Sequence, residues 1–248
     1  MTVFFIFPHP DDETIFAGGV ILRHLTNGDK VVWVCASFGE RGGEATKRSP
    51  KNFYEMFRLA GKFPILLFAQ KAVVYWLGIF RKPSTRLAET RKREAKEIAD
   101  RLGVKDLIFM EISDMRFGWN KKKIIENLKK YINEMKPDII YTMFSDGITG
   151  HPDHVALSSC VVQIVREAEA AGPKLFLTTF SNEIIDKYKL PLFGMPEKNI
   201  SKIVKLSPVE LAKKKQLISL YASQSYLWKI FLEKYPEILA VEFLVEYC

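Results

Sequence analysis

Histidine and aspartate residues are concentrated in two short stretches of this 248-residue sequence. The first stretch, PHPDDE, places His9 three residues before Asp12. The second, GHPDH, repeats that spacing between His151 and His154, so three of the chain's four histidines lie in these stretches. Imidazole nitrogens and carboxylate oxygens are ordinary zinc ligands. The two stretches together therefore predict one shared metal site, and His24, which has no such neighbours, is predicted to be a solvated helix residue.

Two adjacent carboxylates, Asp11 and Asp12, repel each other unless their environments differ. A bound dication would keep the Asp12 carboxylate ionised. Asp11 would then be free to accept a proton from a water whose pKa the metal lowers from 15.7 towards about 7. A structural alternative is that both acids cap the first helix, because Asp is favoured at helix N-termini. Each stretch alone is compatible with a capped helix start, and only their combination favours metal chemistry.

Short apolar runs alternate along the chain with amphipathic helical patterns. Apolar runs predict strands at residues 2–7, 30–37, 106–112, 138–144 and 174–180. Helical periodicity predicts helices at about 13–26, 86–102, 121–135, 153–170 and 208–223. This alternation predicts an α/β fold, a single-domain Rossmann-like three-layer sandwich with a mostly parallel sheet. Both His/Asp stretches follow predicted strands, so we expect them at the sheet edge where such folds bind ligands.

Composition limits the classes of function that the chain can have. It is 48% hydrophobic and 27% charged, values typical of a soluble globular protein. The net charge of +8 comes from scattered lysines and arginines, and no nucleic-acid-binding module is recognisable. No GxGxxG or GxxxxGK[ST] motif indicates a nucleotide. The three cysteines are too few and too far apart for a disulfide framework, which favours a reducing, cytoplasmic location.

One apolar segment complicates the prediction of a purely soluble protein. FPILLFAQKAVVYWLGIF, residues 63–80, has basic residues on both sides. It predicts an interfacial helix or hydrophobic lid that makes peripheral contact with an anionic membrane. The alternative is a core helix or an interface helix of a homo-oligomer. We treat residues 1–248 as one domain, in which the irregular stretch 41–85 is a candidate substrate-side insertion.

The two His/Asp stretches resemble motifs of the zinc-dependent de-N-acetylases typified by N-acetylglucosaminyl-phosphatidylinositol deacetylase, the PIG-L/LmbE-like family. Further matching pieces are SFGERGG after the second predicted strand, the helix carrying Arg91 and Glu94, Asp114 after the third strand, and YASQS near the C-terminus. The resemblance covers most of the chain. It implies a metal-dependent hydrolase that removes the acetyl group from an N-acetylglucosamine-containing substrate.

The resemblance also implies roles for individual residues. The implied metal ligands are His9, Asp12 and His154. Asp11 is the implied general base, and His151 either polarises the amide carbonyl or protonates the leaving amine. Asp153 is the implied orienting partner of His151. Some family members have a tyrosine where this sequence has Thr149, which leaves part of the oxyanion stabilisation unassigned.

The resemblance leaves the substrate and the metal partly open. Arg91 and Asp114 match positions that bind sugar hydroxyls or a phosphate-like substituent. The glucosaminide could be lipid- or inositol-linked, or it could be a soluble chito-oligosaccharide. Zn²⁺ is the implied cofactor, although nitrogen and oxygen ligands also accept Fe²⁺. A non-catalytic carbohydrate- or lipid-binding module on the same fold is the alternative from another class, but such a module has no use for a general base at Asp11.

Overall fold

A seven-stranded, mostly parallel β-sheet forms the centre of the protein. The computed structural model describes residues 1–43, 79–169 and 172–248. The strands are β1 (Thr2–Phe7), β2 (Lys30–Cys35), β3 (Asp106–Phe109), β4 (Ile139–Met143), β5 (Lys174–Thr179), β6 (Lys202–Lys205) and β7 (Val241–Tyr247). Their order in the sheet is β3-β2-β1-β4-β5-β7-β6. The first five strands run parallel, and β7 is antiparallel to both of its neighbours.

Helices cover both faces of this sheet. They are α1 (Asp12–Thr26), α2 (Thr85–Leu102), α3 (Lys121–Met135), α4 (Pro152–Ala168), α5 (Asn182–Tyr188), α6 (Pro208–Ser219) and α7 (Ser225–Lys234). Apolar residues of α1, α2 and α6 pack in one core cluster, and those of α3 and α4 pack in a second. The predicted single-domain α/β sandwich with a mostly parallel sheet is therefore confirmed.

Strand β1 illustrates why the sheet lies between two helical layers. Phe5 belongs to one core cluster, whereas Phe4 and Ile6 belong to the other, and all three side chains have no solvent exposure. Successive side chains of a strand point to opposite faces. The unbroken apolar run that follows Thr2 in β1 is therefore what a strand buried on both faces requires.

The ends of helix α2 are fixed by local chemistry. The Ser84 hydroxyl accepts a hydrogen bond from the amide of Leu87, 3.2 Å away, which satisfies an otherwise unpaired donor of the first turn. At the other end Gly103 adopts the left-handed conformation, φ 80°, that commonly ends a helix. These two signals place Arg91 within a regular helix that packs against the sheet.

The predicted element boundaries differ from the observed ones mainly after the strands. The second strand was predicted to reach residue 37 but ends at Cys35, because the next residues turn towards the first loop. The amides of Ala36 and Ser37 bond to the carbonyls of Phe7 and Pro8. In the same way the third strand ends at Phe109 rather than at residue 112.

The C-terminal part of the chain contains elements that the sequence analysis did not assign. They are the helices α5 and α7 and the strands β6 and β7. The helix predicted at 208–223 ends at Ser219 and is followed by a separate 3₁₀ turn, Ala222–Gln224. Most of the insertion predicted at 41–85, and all but the last two residues of the segment 63–80, lie outside the described residues. Across the described ranges, no helix has the length and apolar character needed to cross a bilayer.

Candidate metal centre

The two His/Asp stretches meet beyond the adjacent parallel strands β1 and β4. Phe5 pairs with Tyr141 in the register of these strands, so both strands end at the same edge of the sheet. Strands β2 and β3 lie on one side of β1, whereas β4 and β5 lie on its other side, so the strand order reverses between β1 and β4. Ligands of open α/β sheets bind in the crevice that such a reversal of strand order creates.

Three side-chain atoms form a small triangle at this edge. His9 Nδ1 lies 3.2 Å from His154 Nε2 and 3.3 Å from Asp12 Oδ2, and the last two atoms are 3.4 Å apart. In a tetrahedral site with metal–ligand distances of about 2.0 to 2.2 Å, two ligand atoms are roughly 3.3 to 3.6 Å apart. The three residues are between 5% and 7% exposed. The donor set and the spacing therefore fit a divalent cation such as zinc.

The backbone before α4 fixes the tautomer of His154. Its Nδ1 lies 3.0 Å from the carbonyl oxygen of Gly147, an acceptor, so the proton is on Nδ1 and the lone pair is on Nε2. Gly147 has φ 66°, and a Cβ there would lie 2.6 Å from the Cβ of His154. A glycine is therefore required for this close approach.

The other nitrogen of His9 faces two carboxylates. His9 Nε2 lies 3.2 Å from Asp114 Oδ1 and 3.5 Å from Asp153 Oδ2. Asp153 also accepts hydrogen bonds from the amides of Met115 and Phe117. A carboxylate beside the distal nitrogen of a metal-binding histidine keeps the proton there and leaves the proximal lone pair for the metal.

Charges around the triangle separate the pKa values of its members. Burial raises the pKa of Asp12, but His154 and His9 outweigh this effect and lower it to about 2. Burial lowers the pKa of His9, yet its contacts with Asp114, Asp12 and Asp153 leave it well above the usual value. The pocket is therefore electrically suited to a positive charge.

Asp11 lies beside this triangle in a strained backbone conformation. Its φ is 111° and its ψ is −34°, a combination that residues with side chains rarely adopt. Its carboxylate Oδ2 is 3.3 Å from Arg91 Nη2. Burial raises the pKa of Asp11 to about 8, although the Arg91 guanidinium opposes the rise. A nearby dication would add to that opposition.

Glu13 is a buried residue of the first motif to which the sequence analysis gave no role. Its carboxylate accepts hydrogen bonds from the Tyr221 hydroxyl at 2.6 Å and from the amide of Asp11 at 3.2 Å. Thr14 also bonds to it. Burial raises the pKa of Glu13 to about 7. A third acid in the motif and a tyrosine in YASQS were the available signals, but their pairing spans 208 residues.

His151 lies next to the triangle and caps helix α4. Its Nδ1 accepts a hydrogen bond of 3.2 Å from the amide of Asp153, so in the neutral ring the proton is on Nε2. Burial lowers the pKa of His151 well below its usual value, and His154 and His9 lower it further. Thr149 bonds to the amide of His151 through its hydroxyl, 3.2 Å away.

The two residues that match family substrate positions are both buried. Arg91 is 4% exposed and donates to the carbonyls of Pro10 and Gly39. Asp114 is 3% exposed and accepts a hydrogen bond of 2.8 Å from the amide of Arg41. Both side chains also contact residues of the two His/Asp stretches, Arg91 through Asp11 and Asp114 through His9.

Glu40 organises the loop that carries Asp114. One oxygen of its carboxylate accepts hydrogen bonds from the Asp114 amide at 2.8 Å and from the Ser113 hydroxyl at 3.1 Å. It lies in the SFGERGG stretch after β2, so the second and third strand ends are joined through this side chain. Glu40 thus holds the loop after β3 in the position where Asp114 contacts His9.

Comparisons with known proteins show the family to which the chain belongs. A profile of the family described as GlcNAc-PI de-N-acetylase (PIG-L) matches residues 4–165. A probable N-acetyl-alpha-D-glucosaminyl L-malate deacetylase 2 of Bacillus anthracis is 26% identical over 182 residues. The alignment covers 73% of this chain and 66% of that protein, just under two thirds of its length.

Solved structures with the same fold include enzymes with different names. N,N'-diacetylchitobiose deacetylase from Pyrococcus horikoshii superimposes with a TM-score of 0.64 and 18% identity, covering 100% of this chain and 82% of that one. A 4-carboxy-2-hydroxymuconate hydratase, GalB of Pseudomonas putida, gives a TM-score of 0.62 at 18% identity, with coverage of 100% and 96%. At these identities the likeness establishes the fold and leaves the reaction to be argued from the site.

Proposed function

Because the chain belongs to the PIG-L family of GlcNAc-PI de-N-acetylases, we propose that it hydrolyses the acetamide of an N-acetylglucosamine-containing substrate. The products are acetate and the free amine. The observation that carries the proposal is the triangle of His9 Nδ1, His154 Nε2 and Asp12 Oδ2, with sides of 3.2 to 3.4 Å, beside the buried carboxylate of Asp11.

The proposed cofactor is Zn²⁺, held by His9, Asp12 and His154. Two imidazole nitrogens and one carboxylate oxygen form a common catalytic zinc set, and Fe²⁺ accepts the same ligands. Such an ion lowers the pKa of a water and polarises a carbonyl oxygen. The lone pairs of both histidines are directed to one point, because each ring has a protein acceptor or carboxylate at its other nitrogen.

Asp11 is the proposed general base. Its carboxylate accepts the proton of the water that attacks the amide carbon. Once protonated, the same carboxyl group can deliver that proton to the departing nitrogen, so the residue serves both steps. Its burial favours the protonated intermediate form that this second step needs.

His151 is the proposed stabiliser of the developing oxyanion. Its Nδ1 accepts a hydrogen bond from the Asp153 amide, and the neutral ring therefore presents an Nε2–H donor. A fixed donor is worth most where charge appears in the transition state. Asp153 contributes to this arrangement through its backbone amide, while its carboxylate lies near His9.

The substrate class rests on the family and on its named relatives. The Bacillus anthracis protein is named for an N-acetylglucosaminyl malate, and the Pyrococcus enzyme for diacetylchitobiose. Their shared group is an N-acetylglucosamine, which we propose for this chain as well. The family resemblance assigns Arg91 and Asp114 to the sugar, but the guanidinium of Arg91 is buried against Pro10, Gly39 and Asp11, so we propose only Asp114 for that contact. The two candidates for the rest of the substrate are a lipid- or inositol-linked aglycone and a soluble chito-oligosaccharide.

Three sequence predictions about the protein's surroundings stay predictions. The membrane contact through 63–80 concerns a segment that lies almost wholly outside the described residues. The homo-oligomer is the alternative reading of that same segment, and the cytoplasmic location rests on the few, widely spaced cysteines. None of them is needed for the reaction proposed above.

The test is acetate release from a panel of N-acetylglucosaminides, with and without a chelator, for wild type and Asp11→Asn. We expect the wild type to release acetate and to lose this activity with its metal. The variant should retain stoichiometric metal, because Asp11 is no ligand, but lose about 10²- to 10⁴-fold in kcat, the usual contribution of a general base. Full activity in Asp11→Asn would refute the base assignment, and a metal-loaded wild type that releases no acetate from any substrate would favour a non-catalytic module.

A further inference from the structure

We propose that Arg91 is a positioning residue for Asp11, fixing the backbone and the carboxylate of the base, and that Gly39 provides the space its guanidinium occupies. The proposal rests on the proposed function for its kinetic consequence, since Asp11 matters most if it is the base. Its geometric content concerns contacts within this chain and is independent of the substrate.

The guanidinium of Arg91 contacts both the backbone just before the strained Asp11 and the Asp11 side chain. Nη2 donates to the carbonyl of Pro10, which precedes Asp11, and lies 3.3 Å from the carboxylate Oδ2 of Asp11. Nη1 donates to the carbonyl of Gly39 at 3.3 Å. A planar guanidinium presents its donors in a fixed fork, so one side chain fixes two groups relative to each other.

Asp11 needs such support because its backbone is unfavourable. A side-chain-bearing residue with φ 111° is strained and persists only where its surroundings determine it. The Asp11 amide donates to Glu13 at 3.2 Å, and its carbonyl accepts from Ile15 at 3.0 Å. Arg91 fixes the carbonyl of Pro10, which belongs to the peptide group on the N-terminal side of the Asp11 φ bond. Among the described residues, Arg91 is also the only one that an ion pair joins to the Asp11 carboxylate.

Gly39 lies directly against the guanidinium. A Cβ built on Gly39 would be 2.3 Å from Arg91 Nη1, closer than any real contact. Its φ of 64° is in the left-handed region. An alanine there would therefore displace the fork even though it removes no charge and no donor.

Burial distinguishes this role from a direct contact with substrate. Arg91 is 4% exposed, and its Nε is buried as well. Its two terminal nitrogens are already engaged by Pro10, Gly39 and Asp11. A sugar hydroxyl could reach them only by replacing one of these contacts.

The experiment compares Arg91→Met, Arg91→Lys and Gly39→Ala with wild type by steady-state kinetics and metal analysis. We expect Arg91→Met and Gly39→Ala to lower kcat by about 10- to 100-fold, the scale for a displaced catalytic group, with KM changed less than about twofold. The kcat of Arg91→Lys should lie between those of wild type and Arg91→Met, because an ammonium group restores the positive charge but not the planar fork of donors. All variants should bind one equivalent of metal.

Gly103→Ala is the matched control for Gly39→Ala. Gly103 has a similar φ of 80°, but nothing lies within 4 Å of a Cβ built there. Both alanines therefore carry the same kind of backbone strain, and only one displaces Arg91. Gly103→Ala should lower the Tm and leave kcat unchanged; an equal loss of kcat in both variants would overturn the proposal.

Substrate analogues separate positioning from substrate contact. With 3-deoxy and 4-deoxy methyl N-acetylglucosaminides, the kcat ratio of wild type to Arg91→Met should equal the ratio for the parent sugar. If Arg91 binds one of these hydroxyls, the ratio will fall towards one for the analogue that lacks it. That result, or a rise in KM with unchanged kcat, would refute the proposal.

Crystal structures of wild type and Gly39→Ala test the geometry without any activity. We expect Asp11 to leave its φ near 111° in the variant, or its carboxylate to turn away from the metal site, while the metal ligands keep their places. An unchanged Asp11 beside a displaced Arg91 would overturn the proposal. An inactive wild type would count against the proposed function alone, since this comparison would still decide the role of Arg91.

Discussion

At the scale of single residues, the neighbours of each histidine in the site decide which of its two ring nitrogens carries the proton. The carbonyl of Gly147 accepts a hydrogen bond from Nδ1 of His154, and the carboxylates of Asp114 and Asp153 lie beside Nε2 of His9. The Asp153 amide donates to Nδ1 of His151. Two rings thus direct lone pairs at one point while the third presents a donor. The same residue type can therefore present either a lone pair or an N–H donor, depending on its hydrogen-bonding and charged neighbours.

This arrangement gives a direct prediction for metal content. His154→Ala should reduce bound zinc from one equivalent to well below half, because the ligand nitrogen at the apex of the triangle is lost. Elemental analysis after dialysis against buffer measures the outcome.

His24→Ala is the control for the loss of an imidazole. His24 is the chain's remaining histidine, and it lies between Asp29 at 2.7 Å and the Tyr141 hydroxyl at 3.0 Å, outside the triangle. It should keep a full equivalent of zinc. Stoichiometric, tightly bound metal in His154→Ala would contradict the ligand assignment.

The residues that sequence analysis placed least well are those whose partners are distant in the chain. His24 was predicted to be solvated, and this is wrong: its side chain is 12% exposed and bonds to Tyr141, 117 residues away. Glu13 received no role because its partner, Tyr221, lies 208 residues away in the chain. Residue types and local spacing predict donor sets, but they do not predict which distant loop supplies the hydrogen-bond partner.

At the scale of elements, helix α6 is tied to α1 through one acid. Ser207 and Glu210 form a capping box at the start of α6, and Glu210 also pairs with Arg23 of α1 at 2.7 Å. The hydrogen bond from Arg23, opposed by partial burial and aided by Ser207, lowers the pKa of Glu210 from its ordinary 4.5 to about 2. This carboxylate therefore links helix capping to the packing of two helices.

A depressed carboxylate pKa makes part of the stability depend on pH. Because the folded state binds the Glu210 proton more weakly than the unfolded state, the stabilisation is complete above about pH 4.5 and is lost as the pH falls towards about 2. Glu210→Gln keeps the capping geometry but loses the charge. Arg23 is 41% exposed, so solvent screening limits the expected loss at pH 7 to about 0.5–1 kcal/mol.

Urea unfolding of wild type and Glu210→Gln between pH 3 and pH 7 measures this difference, which should shrink below about pH 4.5. Glu126→Gln serves as the control, because the Glu126 pair with Lys122 is 4.0 Å long and its members are 63% and 92% exposed. That variant should match wild type throughout. A Glu210→Gln difference that stays constant down to pH 3 would contradict the assignment.

Elements differed in how well the sequence predicted them, for a physical reason. Strand β1 and helix α3 were predicted with their observed bounds, since a nearly continuous apolar run and a clear 3.6-residue period are local signals. Strands β6 and β7 were not assigned. The edge strand β6 has only four residues, three of them exposed, so its sequence carries little of the pattern of a buried strand.

At the scale of the whole molecule, the C-terminal third of the chain supports a site whose two His/Asp stretches both lie before it. The family profile ends at residue 165. Beyond that point Tyr221 bonds to Glu13, Ser223 bonds to Glu94 of α2, and β7 inserts between β5 and β6. The buried Lys214–Glu242 pair, 2.7 Å long, joins α6 to β7 beneath α1.

These contacts predict that the part matched by the family profile is not an independent folding unit. A fragment of residues 1–168 would expose the apolar cluster that α6 and β7 cover. It would also remove the hydrogen bond that the Tyr221 hydroxyl donates to the Glu13 carboxylate. Unpaired buried polar groups cost on the order of 1–3 kcal/mol each, against a total stability of about 5–15 kcal/mol. We expect the fragment to show no cooperative thermal transition by circular dichroism and to bind no stoichiometric zinc, whereas a chain shortened by the exposed Cys248 alone should match the full protein in both. A 1–168 fragment that unfolds cooperatively and retains one zinc would show that the site is complete without the last three strands and helices α5 to α7.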